Sequence, residues 1–172
     1  MSEATPTMAV LPAGDADIEM VRTLFLEYQR ELGVSLCFQG FDQELATLPG
    51  VYVPPGGALL LLEAGNAIAG CVGLRPLPGD RRDGAAAEMK RLYLRPAFRG
   101  QGGGRMLAEA AIAAARRAGY AHLYLDTLAD MTAARALYRG LGFADVPAYY
   151  PNPLPGVRYC VLDLGLARAR AG

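Results

Sequence analysis

Four glycines fall within five positions in the segment Arg99-Gly100-Gln101-Gly102-Gly103-Gly104-Arg105. Upstream, Ala85–Arg95 reads as a long strand stopped by Pro96. Downstream, Gly102–Ala118 reads as a helix: Met106, Leu107, Ala110, Ala111, Ala114 and Ala118 form an apolar stripe, and Gly119 closes it. Glycine tolerates positive φ and has no Cβ, so neighbouring N–H groups can converge on a common space, and the helix N-terminus adds partial positive charge. Such a loop suits an anion, most often a phosphate or pyrophosphate, although a tight strand-to-helix connection needs the same residues. Since His122–Thr127 reads as another strand directly after the helix, the middle of the chain is a strand-helix-strand unit.

The flanking segments extend that unit. Met8–Leu11 reads as a short strand. Asp15 or Asp17 is positioned to cap a helix through Ile18, Val21, Leu24, Phe25, Tyr28 and Leu32, ended by Gly33. Phe41–Leu48 reads as a short helix. Ala58–Glu63 and Ala67–Arg75, broken at Gly65-Asn66, form a hairpin pattern, and Pro76–Gly84 a polar loop. Thr132–Arg139 is a short helix ended by Gly140. Phe143–Ala148 and Val157–Leu164 are final strands around the Pro-rich stretch Pro151–Pro155. Antiparallel strands before a strand-helix-strand unit imply an α/β domain with a mixed sheet, and the 172 residues suit a single domain over 1–172.

Composition removes several function classes. Seventeen basic and 17 acidic side chains give a net charge of zero, which supports neither a nucleic-acid binder nor a polybasic membrane binder. The longest apolar run, Ala67–Leu74, is far short of the roughly 20 residues that span a bilayer. Met1–Asp15 carries Glu3 and no basic residue ahead of an apolar run, unlike a signal peptide. Cys37, Cys71 and Cys160 are widely spaced, with no C-x-x-C, so they read as reduced, buried thiols of a cytoplasmic protein. One histidine, His122, rules out a multi-histidine zinc site, and no metal is expected. Neither Ser2 nor Ser35 stands in a G-x-S-x-G setting, which argues against a serine triad.

Two familiar phosphate loops fail on particular residues. G-x-x-x-x-G-K-[ST] is absent, and the only lysine, Lys90, lies upstream on the strand. G-x-G-x-x-G fails because Arg105 or Leu107 occupies its last position. The spacing that fits is Arg99-x-x-Gly102-x-Gly104 after Glu88-Met89-Lys90-Arg91-Leu92-Tyr93-Leu94-Arg95-Pro96, with Ala136-Leu137-Tyr138-Arg139-Gly140-Leu141-Gly142-Phe143 downstream. In these segments, and in its element order, the chain resembles the GNAT family of acetyl-CoA-dependent N-acyltransferases.

That resemblance implies a mostly antiparallel mixed sheet with a central, splayed parallel pair flanked by helices. It implies acetyl-CoA as cosubstrate. The pantetheine arm would lie along Leu92, Tyr93 and Leu94, and the pyrophosphate on the amides of Gly100, Gln101, Gly102, Gly103, Gly104 and Arg105. Arg99 and Arg105 can add charge-assisted bonds or can stand as solvated arginines. The resemblance also implies acetyl transfer to a primary amine of a small molecule, amino acid or peptide, by direct attack within a ternary complex. The backbone N–H near Leu92 would serve the developing oxyanion. One departure is Met131, seven positions before Tyr138, where many relatives carry an asparagine that contacts the cofactor.

Amine acylation needs a neutral nitrogen, which costs an alkyl amine ~4.6 kcal/mol at pH 7. Glu88 stands where some family members place a catalytic glutamate, acting directly or through water. The competing reading is an ion pair with Lys90, since strand alternation puts both on one face. Tyr138 stands where the family places the acid that protonates the leaving thiolate; its other reading is an aromatic packed between helix and sheet. For the acceptor, Tyr149 and Tyr150 before rigid prolines form a candidate wall, with Tyr28, Arg75 and Asp126 near the mouth. Arg75 is a candidate partner for an acceptor carboxylate. Two other readings stand beside the enzyme: a catalytically idle acyl-CoA-binding or regulatory module, and an ATP-binding domain. Val157–Leu164 is a candidate homodimer contact.

Overall fold

The computed structural model describes residues 6–79 and 85–165. Strand β1 (Met8–Pro12) precedes helix α1 (Ile18–Leu32) and the short helix α2 (Phe41–Thr47). The hairpin β2 (Ala58–Ala64) and β3 (Ala67–Leu77) comes next, then β4 (Ala86–Leu94), α3 (Gly103–Arg117), β5 (His122–Leu128), α4 (Thr132–Gly140), β6 (Ala144–Val146) and β7 (Val157–Asp163). This is the element order expected from the sequence. The seven strands form one sheet in the order β1-β2-β3-β4-β5-β7-β6. All neighbours are antiparallel except β4 and β5.

Helices cover both faces of this sheet, which explains the unbroken apolar run in β2. Leu60 and Leu62 face a core with Leu107, Ala111, Leu123 and Phe143. Leu59 and Leu61 face a second core with Val21, Leu24, Phe25 and Phe41. Helix α1 ends at Gly33, φ +67°, whose N–H bonds to the carbonyls of Gln29 and Arg30.

Several local expectations need correction. Asp17 does not cap α1; its Oδ2 accepts from the Gly14 N–H at 2.8 Å and tightens the turn ahead of the helix. By contrast, α4 begins at Thr132 as expected, with Met131 as its N-cap. β3 runs on through Pro76 and Leu77, which pair with Ala87 and Ala86, while residues 80–84 of the expected polar loop lie outside the described residues. β6 is only three residues long because the chain leaves the sheet before Tyr149. Cys71 and Cys160 are buried as expected, but Cys37 is exposed. β7 is not a free edge: β5 pairs with it along its whole length, and β6 occupies its other side at Tyr159–Val161. The sheet's edges are β1 and β6, so backbone pairing to a second copy through the middle of β7 is foreclosed.

Two irregularities of β4 open the sheet at its centre. It is in register with β5 only at Ala86, Ala87 and Glu88, opposite His122, Leu123 and Tyr124; beyond Glu88 the strands diverge. Opposite β3 it carries a bulge. Lys90 pairs with Gly73 and Tyr93 with Cys71, so Arg91 and Leu92 share the single residue Val72. Arg91 sits at φ +58°, the left-handed region. Alternation keeps Lys90 on the face of Glu88, and the bulge turns Arg91 to that face as well.

β3 follows β4 closely at Gly70, where an added Cβ would lie 2.3 Å from the Tyr93 carbonyl oxygen. Gly70→Ala is therefore expected to push the two strands apart and cost about 1–3 kcal/mol, read as a lower urea midpoint. An unchanged midpoint would show that the strands can separate freely there.

Candidate active site

The glycine loop opens a cleft of about 470 Å³ where β4 and β5 part. Leu92, Tyr93 and Leu94 of β4 form one wall and Arg99, Gly100, Gly102, Gly103 and Gly104 its end; Met131, Thr132, Ala134 and Leu137 close the far side. Tyr28, Glu31 and Leu32 of α1 border it. Gly100 and Gly102 have φ of +77° and +85°, conformations that favour glycine. Gly103, the first residue of α3, packs so closely that a Cβ would meet Leu62 Cδ2 at 2.6 Å. The loop amides thus sit at the N-terminus of a 15-residue helix, beside a strand whose polar groups have no ladder partner on the β5 side.

Gln101 and Arg105 lie outside this lining. Arg105 is paired with Glu109 in its own helix at 2.8 Å. Arg99 does border the cleft, but its guanidinium is held by Glu31 at 2.7 Å and by the Leu94 carbonyl at 2.9 Å. Both arginines are more than 40% exposed, so neither pair locks its side chain. The Met131 Sδ accepts from the Thr127 hydroxyl at 3.7 Å, so the thioether lies between β5 and the cleft.

At the apex of the splay lies a buried polar cluster. Glu88 has no exposed surface. Its Oε1 accepts from Arg75 Nε and a terminal guanidinium nitrogen at 2.9 and 2.7 Å; its Oε2 accepts from the Tyr149 hydroxyl at 2.5 Å and faces Lys90 Nζ at 3.6 Å. Lys90 lies 3.3 Å from Asp126 Oδ1 and 5.4 Å from the centre of the Tyr150 ring. Asp126 Oδ2 accepts from the Tyr150 hydroxyl and from Asn152 Nδ2. The Tyr150 oxygen in turn accepts from Gln39 Nε2 at 3.0 Å, which ties the segment before α2 to the β6–β7 loop. Gln39 Oε1 is buried without a hydrogen-bond partner.

The cluster brings together Glu88, Arg75, Asp126, Tyr149 and Tyr150, which the sequence reading had given separate roles, and it adds Gln39 and Asn152. Arg75 is spent on Glu88 rather than held ready for an acceptor carboxylate. Its position opposite Glu88 on β3 was readable only once the register was known. Burial, followed by the negative charge of Glu88, pushes the Tyr149 hydroxyl far above the ordinary phenol range. The Tyr149 hydroxyl is the donor in its hydrogen bond to Glu88 Oε2.

Tyr28 borders the cleft, whereas Tyr138 lies outside its lining, near Tyr28 and Asp126. Burial pushes Tyr28 up to about 12. Tyr138 is also raised, by burial first and then by Tyr28 and Asp126. Its ring meets Phe143 edge-on at 5.7 Å and borders a separate cavity of about 180 Å³ lined by Arg135, Arg139, Asp145 and Cys160. The residue is buried, and its hydroxyl makes no hydrogen bond among the described residues. Both packing and an available hydroxyl therefore describe this residue.

The sequence model of the acetyltransferase (GNAT) family matches residues 19–143, which contain the cleft and the splayed strands. The chain belongs to the acetyltransferase (GNAT) family. An uncharacterized N-acetyltransferase of Schizosaccharomyces pombe is 39% identical over 150 residues, covering 86% of this chain and 89% of that protein. A GNAT-family acetyltransferase from Staphylococcus aureus superposes with a TM-score of 0.73 at 18% identity, covering 92% of this chain and 99% of the other. RimL, a ribosomal L7/L12 alpha-N-protein acetyltransferase solved with coenzyme A, gives a TM-score of 0.70 at 17% identity over 93% of this chain and 96% of its own. Such distant structural likeness shows the shared fold. Among the described residues, this GNAT chain has no helix long and apolar enough to cross a membrane and no group of three or more side chains arranged to hold a metal.

Proposed function

We propose that this GNAT protein transfers the acetyl group of acetyl-CoA to a primary amine of a small molecule, amino acid or peptide, by direct attack in a ternary complex. The observation that carries the reading is the divergence of β4 and β5, with an amide-lined cleft on one side and buried Glu88 at the apex. The donor fits the residues present. The loop amides and the α3 N-terminus suit a diphosphate, and the free side of Leu92–Leu94 suits an extended amide-bearing arm.

In this reading the amine nitrogen attacks the thioester carbonyl carbon, a C–N bond forms and the C–S bond breaks. Glu88 is the final acceptor of the amine's proton. Because it has no surface of its own, the proton passes through Tyr149, which gives its own proton to Oε2 as it accepts one from the amine side. Tyr138 protonates the departing thiolate, and the N–H of the bulge near Leu92 steadies the oxyanion. Tyr28, Asp126 and Tyr150 shape the acceptor side. Arg75 keeps Glu88 in place.

The test is a panel of amines, amino acids and N-terminal peptides with acetyl-CoA, reading released thiol, beside thermal shifts with CoA and ATP. Turnover and a CoA-selective rise in melting temperature are expected. Binding without turnover on any acceptor would instead point to an acyl-CoA-binding module. A response to ATP alone would remove the reading. Tyr138→Phe is expected to lower kcat about tenfold with the fold intact, since a thiolate departs without much help. Equal turnover in the two proteins would assign Tyr138 to packing alone.

A further inference from the structure

Lys90 is the only lysine in the chain, and its side chain is 4% exposed. Its ammonium lies between two carboxylates of different strands, 3.6 Å from Glu88 on β4 and 3.3 Å from Asp126 on β5. The Tyr150 ring, 5.4 Å from the nitrogen, covers it. A surface lysine serves solubility; one buried across the seam where the sheet splits needs another account.

The charges around it can be added up. Glu88 and Asp126 contribute two negative charges, and Arg75 and Lys90 two positive ones. Nearby, Arg91 is closed off in a pair with Glu44 of α2. The remaining faces carry Tyr28 from α1, Tyr124 from β5, Tyr149 and Tyr150 from the β6–β7 loop, and Tyr159 from β7. His122 lies one ring further out, its centroid 6.5 Å from that of Tyr124. The cluster is thus balanced before any acceptor arrives. A cationic amine entering it makes an excess of one positive charge in a poorly solvated place, whereas the same amine without its proton adds none. Without Lys90 the balance reverses: one carboxylate is left over, and an ammonium becomes the better guest.

We propose that Lys90 is a positioning residue that makes the acceptor side of this site favour the neutral, nucleophilic form of its amine. This inference rests on the acetyl-transfer reading above. It adds a preference: the site selects among amines by how readily they give up a proton, and weakly basic amines are turned over fastest at neutral pH.

The experiment compares wild type, Lys90→Met, Lys90→Arg and the charge-neutral double variant Lys90→Met/Asp126→Asn. Each is assayed with an amine from the panel and with the alkoxyamine of the same carbon skeleton, which is neutral at pH 7. With the amine, Lys90→Met should hold or lower KM, reduce kcat about tenfold at pH 7 and move the rising limb of kcat up by about one pH unit. With the alkoxyamine its kcat should fall clearly less than with the amine. Lys90→Arg and the double variant should return the limb toward its original place. The double variant leaves no unpaired buried charge, so it keeps the test open if Lys90→Met folds poorly. A limb that stays put in Lys90→Met, an equal loss on both acceptors, or a double variant as displaced as the single one would overturn the inference while leaving acetyl transfer intact. A wild type that acetylates neither compound overturns both.

Discussion

Replacing Glu88 by glutamine is expected to lower kcat by about 10²–10⁴ at neutral pH while the affinity for acetyl-CoA stays nearly the same. The reason is spatial. Glu88 lies where β4 and β5 part, whereas the loop proposed to hold the diphosphate begins at Gly100, on the far side of the bulge. Steady-state rates on the best panel amine, with calorimetry for acetyl-CoA, separate the two effects. A kcat within a few-fold of wild type would move the base elsewhere, and Asp126 would then be the carboxylate to test. The amide of glutamine keeps the shape of the side chain but leaves Arg75 and Lys90 with one carboxylate fewer. Some loss of stability should accompany the kinetic effect, and the unfolding midpoint reports it separately.

The second large effect is expected at Arg91, away from the reacting atoms. Its guanidinium meets Glu44 at 3.0 and 3.3 Å with almost no solvent on either side, under the rings of Phe41 and Tyr28. Arg91→Ala strands Glu44 in the core, where only the Tyr52 hydroxyl at 3.1 Å still donates to it. The expected result is a loss of about 3–5 kcal/mol in urea unfolding. Arg91→Gly loses the same pair but suits the φ of +58°, so it should be less destabilised than the alanine variant by about 1 kcal/mol. Coupling between Arg91→Ala and Glu44→Gln in a double-mutant cycle measures the pair itself. A loss under 1 kcal/mol in Arg91→Ala would mean that the bulge stands without it.

Much of the fold was legible because it is written in periods and punctuation. The stripe in α3, the glycines at 33 and 119, Pro96 after β4 and the turn at Gly65-Asn66 each act within a few residues of chain. The glycine loop was legible as a tight entry into α3 for the same reason, and the expectation that it serves acetyl-CoA came through resemblance to a family. What was not legible depends on register. Nothing local says that Arg75 sits opposite Glu88, that Lys90 reaches across to Asp126, or that Gln39 touches Tyr150. These partners are 13, 36 and 111 residues apart in the chain. The bulge was hidden too, because Arg91 is an ordinary residue in an alternating strand until its side chain finds Glu44. Likewise, nothing local says that β7 lies between β5 and β6.

The narrowness of the β4–β5 pairing has a mechanical consequence. Among the described residues, three registered residue pairs and the bond from the Ala121 N–H to the Ala85 carbonyl stitch one half of the sheet to the other along the backbone, with side-chain packing beneath them. A molecule wedged into the gap with its own amides would act as the missing rungs. Thermal resistance would then track the supply of that molecule: a starved protein would be softest along this line and a saturated one clamped there. Wear and proteolytic turnover would follow metabolic state as well as temperature.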